Sequence, residues 1–310
     1  MRFNPKARLD TRRVGDAGRG RRGGGGGRSA MGMPGGLPVG GGIGGIVVVV
    51  LVFVVFQLVG GGGGGTGLGG ATALDSSRLD DSERYAACET GADANESLDC
   101  RRVAVENSLH DFWSDELGSR FRPVDQLVTF TDSVETGCGP ATAAVGPFYC
   151  PGDQRIYLDS TFFDDVLARQ LGGPQGGFVE PYVLAHEYGH HVQDLLGAMG
   201  KVRTQQGPQS DAVRLELQAD CYAGMWARAA TSTEDADGNV LITELTDRDI
   251  EEALAAASAV GDDRIQQKTQ GQVTEESWTH GSAASRARWF RTGFEEGSLE
   301  ACDTFSASRV

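Results

Sequence analysis

The sequence predicts an α+β fold, mostly helical with a small sheet and preceded by one transmembrane helix. Three observations carry that expectation. Short β-patterned runs cluster between residues 126 and 158, while longer helically spaced runs fill 178–294. That order fits segregated strands and helices and not a repeated βαβ unit. One apolar run, Ile43 to Val59 (IGGIVVVVLVFVVFQLV), has Gln57 as its only polar side chain. Charge is divided around it: residues 1–30 carry nine basic and two acidic side chains, residues 31–70 none, and residues 71–310 carry 19 basic and 41 acidic. The acidic bulk excludes duplex binding, which needs clustered positive charge, so no nucleic-acid partner is expected.

In chain order, residues 1–37 read as a basic, glycine-rich cytoplasmic tail and 38–59 as a transmembrane anchor. Residues 60–72 read as a glycine-rich linker and 73–310 as one extracytoplasmic domain. The 17 residues from Ile43 to Val59 reach roughly 25 Å as a helix. The uncharged lead-in from Pro38 closes most of the gap to a ~30 Å hydrocarbon core. Basic residues before the span and none close after it predict a single pass with the N-terminus in the cytoplasm. The rival is a cleaved signal peptide ending at Ala71-Thr72-Ala73, although that site lies 14 residues beyond Val59. Gly60 to Gly65 lacks side chains that could pack and reads as a tether.

All six cysteines follow the apolar run, and an even count outside the cytoplasm favours disulfides. Cys88/Cys100 and Cys138/Cys150 are each 12 apart across turn-rich segments, which predicts two local loops. Cys221 and Cys302 then tie the C-terminal tail to a helix.

Within the domain, Asn95 to Leu117 has helical spacing, and Gln126 to Thr131 (QLVTFT) reads as a strand. Pro147 to Tyr149 and Arg155 to Leu158 read as two further short strands, the second either a substrate-pairing edge or an interior strand. Phe178 to Leu196 reads as a helix ended by Gly197, and Asp211 to Ala230 as a second helix with Asp211 as N-cap. Thr246 to Val260 is a third, with Thr246 capping, Asp249 three residues on, and Gly261 after the end. Glu275 to Phe294 is at least partly helical.

The chemistry concentrates in two short stretches. Residues 186–190 read HEYGH, and His186 and His190 make up two of only five histidines. Four residues apart on a helix, they share a face and can converge on one zinc ion. Glu187 is rotated about 100° from His186, a position suited to accepting a proton from water and not to ligation. A tetrahedral catalytic zinc needs a third protein ligand and an open fourth position. Residues 216–220 read ELQAD. Glu216 can supply the ligand, and Asp220, one turn on, can accept the ring N–H of a ligand histidine. The bland alternatives are chance spacing on an amphipathic helix and a solvated acidic face. Against them, the ELQAD helix is otherwise rich in Leu, Ala, Met and Trp, where carboxylates need partners.

HExxH with a downstream ExxxD resembles the gluzincin metallopeptidases. Longer strings resemble the bacterial putative neutral zinc metallopeptidase family: GCGPATAAVGPFYCPGDQRIYLD (Gly137 to Asp159), LAHEYGHHVQ (Leu184 to Gln193), RLELQADCYAG (Arg214 to Gly224), AVGDDRIQ (ending at Gln266) and THGSAASRARWFRTGF (Thr279 to Phe294). The likeness spans roughly residues 100–305. It implies a zincin-like domain in which His186, His190 and Glu216 bind Zn2+, Glu187 is the general base, and Asp220 supports a ligand histidine. A membrane-bound catalytic domain with peptide or protein substrates also suits it.

Among the other polar residues, His280 is the first candidate to stabilise the developing oxyanion, with Tyr149, Tyr182 and Tyr222 as rivals. A turn and helix cap is the plain reading of Thr279 to Ser282. His191 is expected to pack, His110 to do nothing specific, and Asp262-Asp263-Arg264 to form a helix-end ion pair. Thr233 to Glu244 partly mimics a calcium loop, but Thr replaces the first acidic ligand, so an acidic surface turn is expected. The resulting expectation is a single-pass, membrane-anchored zinc metalloendopeptidase. The alternative is a noncatalytic zincin-like module that binds cell-envelope partners.

Overall fold

The computed structural model describes residues 1–19 and 83–310. The expected anchor at 38–59 and linker at 60–72 lie outside the described residues. Among the described residues, no helix is long and apolar enough to cross a membrane.

Two strands come from the segment expected to be a tail: β1 (Arg2–Phe3) and β2 (Val14–Arg19). Helices α1 (Gly91–Glu96) and α2 (Leu98–Leu117) follow, separated by Ser97, whose extended backbone breaks the single helix expected there. Ser97 accepts the Cys100 N–H as N-cap of α2. Five strands come next: β3 (Gln126–Thr131), β4 (Ser133–Thr136), β5 (Gly139–Thr142), β6 (Phe148–Cys150) and β7 (Arg155–Asp159). A wide helical turn, Phe163–Ala168, leads to α3 (Val179–Leu195) and α4 (Asp211–Ala229). Strand β8 (Ile242–Glu244) and helices α5 (Asp247–Ala259), α6 (Asp262–Gln270) and α7 (Ala283–Glu296) complete the chain.

The main sheet runs β2-β3-β7-β6, with β2, β3 and β7 parallel and β6 antiparallel to β7. Arg155–Asp159 is therefore interior, flanked by β3 and β6, and the edge candidate passes to β6. Both faces of the sheet are covered. Leu127, Ile156 and Leu158 enter the main core, while Val128, Phe130 and Tyr157 enter a smaller one under the β4–β5 hairpin. Cys138–Cys150 pins that hairpin, Cys88–Cys100 closes the loop before α2, and Cys221–Cys302 holds the tail on α4. All three pairings are the expected ones.

The basic tail is the main departure from the sequence reading. Met1–Arg19 packs on the domain instead of standing apart. Val14 pairs with Leu127 and Asp16 with Thr129 in parallel register, and Phe3, Ala7 and Val14 are buried. Arg13 Nε bonds Glu106 Oε1 of α2 at 2.7 Å, and Arg84 bonds Asp16 at 3.1 Å. Arg13 of the basic segment thus meets a buried acid of α2, and an arginine of the domain meets Asp16 of the segment.

Three local details differ. Ser210, not Asp211, caps α4 by accepting the Val213 N–H. The carboxylate of Asp211 instead takes the backbone N–H groups of Arg203 and Thr204. Asp262 begins a helix rather than ending one with an ion pair, and it accepts the N–H groups of Thr279, His280 and Gly281. The capping box of Thr246 and Asp249 and the stop at Gly197 (φ +71°) are as expected.

Glycine sets the helix spacing that matters for the site. A Cβ on Gly189 would lie 3.2 Å from the backbone of Ala219, so α3 and α4 touch where HEYGH and ELQAD face each other. Gly224 and Gly293 allow the same close crossing of α4 with α7: a Cβ on either would fall about 2.0 Å or less from a carbonyl oxygen of the other helix.

Candidate metal centre

His186 and His190 lie on α3 and Glu216 faces them from α4, their ring centroids 4.8 Å apart. His186 Nε2 is 3.3 Å from Glu216 Oε2, and His190 Nε2 is 3.5 Å from Glu216 Oε1. Zinc bonds of about 2.0–2.1 Å at tetrahedral angles place ligand atoms about 3.3–3.4 Å apart. The two histidine–carboxylate distances, one to each oxygen of Glu216, are close to that spacing, and one ligand atom from each of the three side chains lies within 4.8 Å of the others.

The outer ring nitrogens agree with this. His186 Nδ1 donates to Asp220 Oδ1 at 2.9 Å and His190 Nδ1 to Gln193 Oε1 at 2.8 Å. With each Nδ1 engaged, Nε2 is the ring nitrogen turned toward Glu216, the one left for a metal once it is deprotonated. Gln193 is itself held, donating to the Leu215 carbonyl at 2.7 Å and to Gln218 Oε1 at 3.2 Å. The donor set and its supports fit Zn2+, with one tetrahedral position left for a small molecule.

Asp220 is fully buried and accepts four hydrogen bonds: from His186, from Tyr182 Oη at 2.5 Å, and from Arg286 Nε and Nη2 at 2.8 and 3.0 Å. Burial opposes its ionisation, but Arg286 and His186 outweigh that and bring its pKa down to about 2. Burial likewise opposes a charged His186, yet Asp220 and Glu216 carry its pKa up to about 10. Metal binding at this ring therefore displaces a proton near neutrality. His190 moves the other way: burial lowers it to about 4. Glu216 is held well below the usual carboxylate range, because the facing His190 and His186 overcome its burial.

Glu187 stands beside the triad. Its Oε2 accepts the Tyr149 N–H of β6 at 2.9 Å, so the sheet edge aims the carboxylate. Burial raises its pKa to about 7. His280 reaches the same cleft from the turn before α7, its Nδ1 3.3 Å from Asp262 Oδ1. Burial lowers the His280 pKa, but Asp262 and Glu216 raise it overall above the ordinary imidazole value. The rival tyrosines are committed elsewhere. Tyr149 Oη donates to Asp194, Tyr182 Oη to Asp220, and Tyr222 packs on Trp113 outside the cleft lining. His191 is a packing residue, its Nε2 donating to the Arg122 carbonyl at 2.7 Å.

Sequence reasoning missed Arg286, Gln193, Tyr182 as a partner of Asp220, and Asp262 as the support of His280. Gln193 carried a weak signal, three residues beyond His190 on the same helix. Arg286 carried none, because nothing local ties it to a motif 66 residues earlier.

The chain is 54% identical over 225 residues to an uncharacterized protein of Mycobacterium tuberculosis, covering 71% of this chain and 75% of that one. It is 42% identical over 209 residues to the uncharacterized protein YpfJ of Escherichia coli, covering 65% of this chain and 69% of the relative. No solved structure matches. With a match over residues 7–305, the chain belongs to the putative neutral zinc metallopeptidase family.

Proposed function

We propose that this chain is a zinc endopeptidase acting outside the cytoplasm. The observation that supports it best is the convergence of His186, His190 and Glu216, with ligand atoms within 4.8 Å of one another, beside a buried carboxylate, Glu187, that stands outside the triad. When bound, zinc supplies Lewis-acid chemistry that acidifies water and polarises a peptide carbonyl. Tyr149 holds Glu187 by Oε2, so Oε1 takes the proton of the attacking water and passes it to the departing amine. His280, held from its Nδ1 side by Asp262, donates from Nε2 to the oxygen on which charge develops.

The test compares two glutamates in the full-length chain. Glu187→Gln should keep about one zinc per chain and lose a factor of about 10²–10⁴ in rate, or ~3–5 kcal/mol of barrier. Glu216→Gln should lose the metal. Parental turnover by Glu187→Gln would sink this mechanism. A folded, zinc-loaded parent that cleaves no peptide would favour the noncatalytic, envelope-binding module.

Membrane attachment through 38–59 is part of the proposal, and three disulfides support an oxidising compartment. The docked N-terminal segment constrains the path. Residues 1–19 and 83–310 share a core and hence one side of any bilayer. A single crossing between them would separate them, so a docked N-terminal segment and a cytoplasmic N-terminus are alternatives that accessibility can distinguish. With the native cysteines paired, a lone cysteine at exposed Lys6 or Val273 can be probed with an impermeant maleimide on spheroplasts. Both sites should label. Labelling of Val273 alone would restore a cytoplasmic tail.

A further inference from the structure

Met1–Arg19 lies on the domain as an open chain with turns at Asn4 and Thr11, and the domain reads its backbone with side chains. Asn95 of α1 meets both backbone groups of Phe3: its Oδ1 accepts the N–H at 3.0 Å and its Nδ2 donates to the carbonyl at 2.9 Å. Asn107 of α2 does the same for Asp10, at 2.7 and 2.9 Å. Between these two points the Gly91 N–H donates to the Ala7 carbonyl, and the Leu9 N–H donates to the Glu89 carbonyl, each at 2.9 Å. Beyond them, β2 adds to β3 as a parallel strand. Main-chain hydrogen bonds of this kind give a bound peptide its affinity, and pockets for its side chains give selectivity.

The domain supplies such pockets. Phe3, Ala7 and Val14 are buried against it. Gly91 leaves room for the Asn4 carbonyl, because a Cβ there would lie 2.0 Å from that oxygen. Arg13 reaches Glu106, whose side chain is only 2% exposed, and Asn107 Nδ2 holds the other carboxylate oxygen at 2.8 Å. A carboxylate so buried is costly without a cationic partner, so Glu106 selects for a basic side chain at this point. None of these residues lines the metal cleft.

We propose that residues 83–310 carry a second peptide-binding site, outside the metal cleft, and that Met1–Arg19 is its detachable ligand. The segment's covalent connection to the domain runs through residues 20–82. Belonging to the same chain raises its effective concentration and keeps the site filled. The ligand chemistry is an open peptide, apolar at Phe3, Ala7 and Val14 and cationic at Arg13. The site is independent of the zinc-peptidase reading.

The experiment starts from the full-length chain with a site-specific protease sequence placed within Gly23–Gly27. After cutting, a labelled synthetic peptide of residues 1–19 is added in excess, and exchange with the cut piece is followed by fluorescence anisotropy. The peptide should bind at one per chain, and near-UV circular dichroism should stay at the parental value. Arg13→Ala in the peptide should weaken binding about 30-fold or more, as expected when one member of a buried charge pair is removed. Phe3→Ala should weaken it at least as much, through the lost burial. Asn95→Ala or Asn107→Ala in the domain should each weaken the parental peptide about tenfold, because each removes two hydrogen bonds. A scrambled peptide of the same composition should not bind. Equal binding of the scrambled peptide would reduce the contact to attraction between a basic chain and an acidic domain, and overturn the site. A cut piece that never exchanges, or a domain that loses its near-UV signal as the piece leaves, would make the segment a fixed part of the core and overturn the proposal as well.

Discussion

Asp220→Asn isolates what the buried network contributes to the metal site. The substitution keeps volume but replaces one oxygen by an amide NH2. Oδ1 accepts from His186, Tyr182 and Arg286 Nη2, and Oδ2 accepts from Arg286 Nε. In either amide orientation the NH2 faces a donor: Arg286 Nε–H one way, His186 and Tyr182 the other. The Arg286 guanidinium, with 4% of its side chain exposed, also loses its counter-charge. Breaking one side of such a buried pair costs about 3–5 kcal/mol. Losing the histidine's support should weaken zinc by about 10–100-fold. Replacing both partners, Asp220→Leu with Arg286→Met, leaves no orphaned charge and should cost less stability than Asp220→Asn alone. It should not restore zinc affinity, because His186 Nδ1 still lacks its acceptor. Denaturant unfolding with disulfides intact measures the first effect, and competition with a zinc-sensitive dye measures the second. Parental stability and parental zinc affinity in Asp220→Asn would refute the account of this network.

Three further outcomes are expected. Gly189→Ala places a methyl 3.2 Å from the Ala219 backbone, so an overpacking cost of about 1–3 kcal/mol competes with about 1 kcal/mol of helix propensity; zinc affinity should fall because α3 and α4 must part, and an unchanged dissociation constant would count against that spacing. Removing Cys221–Cys302, with a separation of 81, by double alanine substitution should cost about 4–5 kcal/mol, against about 3 kcal/mol for either bridge of separation 12, as read from thermal unfolding. Activity should be bell-shaped in pH. Glu187 works ionised, and burial raises it to about 7, which a bound cation then lowers, so the acid limb lies at or below 7. The alkaline limb belongs to His280, raised by Asp262 and Glu216 against its burial, and should vanish in His280→Gln.

The short-range part of this protein was legible in the sequence. Four-residue spacing places two side chains on one helical face in any context, so His186 with His190 and Glu216 with Asp220 could be paired by counting. Capping at Thr246, the stop at Gly197 and the two disulfides of separation 12 are likewise local geometry. Where the reading failed, the missing quantity was a distance between residues far apart in the chain. Composition marked residues 1–37 as a tail, because nine basic residues within the first 30, followed by an uncharged stretch, carry no sign that Arg13 meets Glu106 or that Val14 pairs with Leu127. Strand β7 could not be told from an edge, because its residues are buried on both faces by two separate cores. Arg286 was invisible for the same reason: its partner Asp220 lies on another helix, and only the α4–α7 crossing at Gly224 and Gly293 brings them together. Sequence thus determined the candidate metal-binding set and the carboxylate beside it, because their positions on their helices follow from periodicity. Tertiary structure alone decided what holds those groups and what lines the cleft beside them, because burial and pairing depend on how the helices and sheet pack.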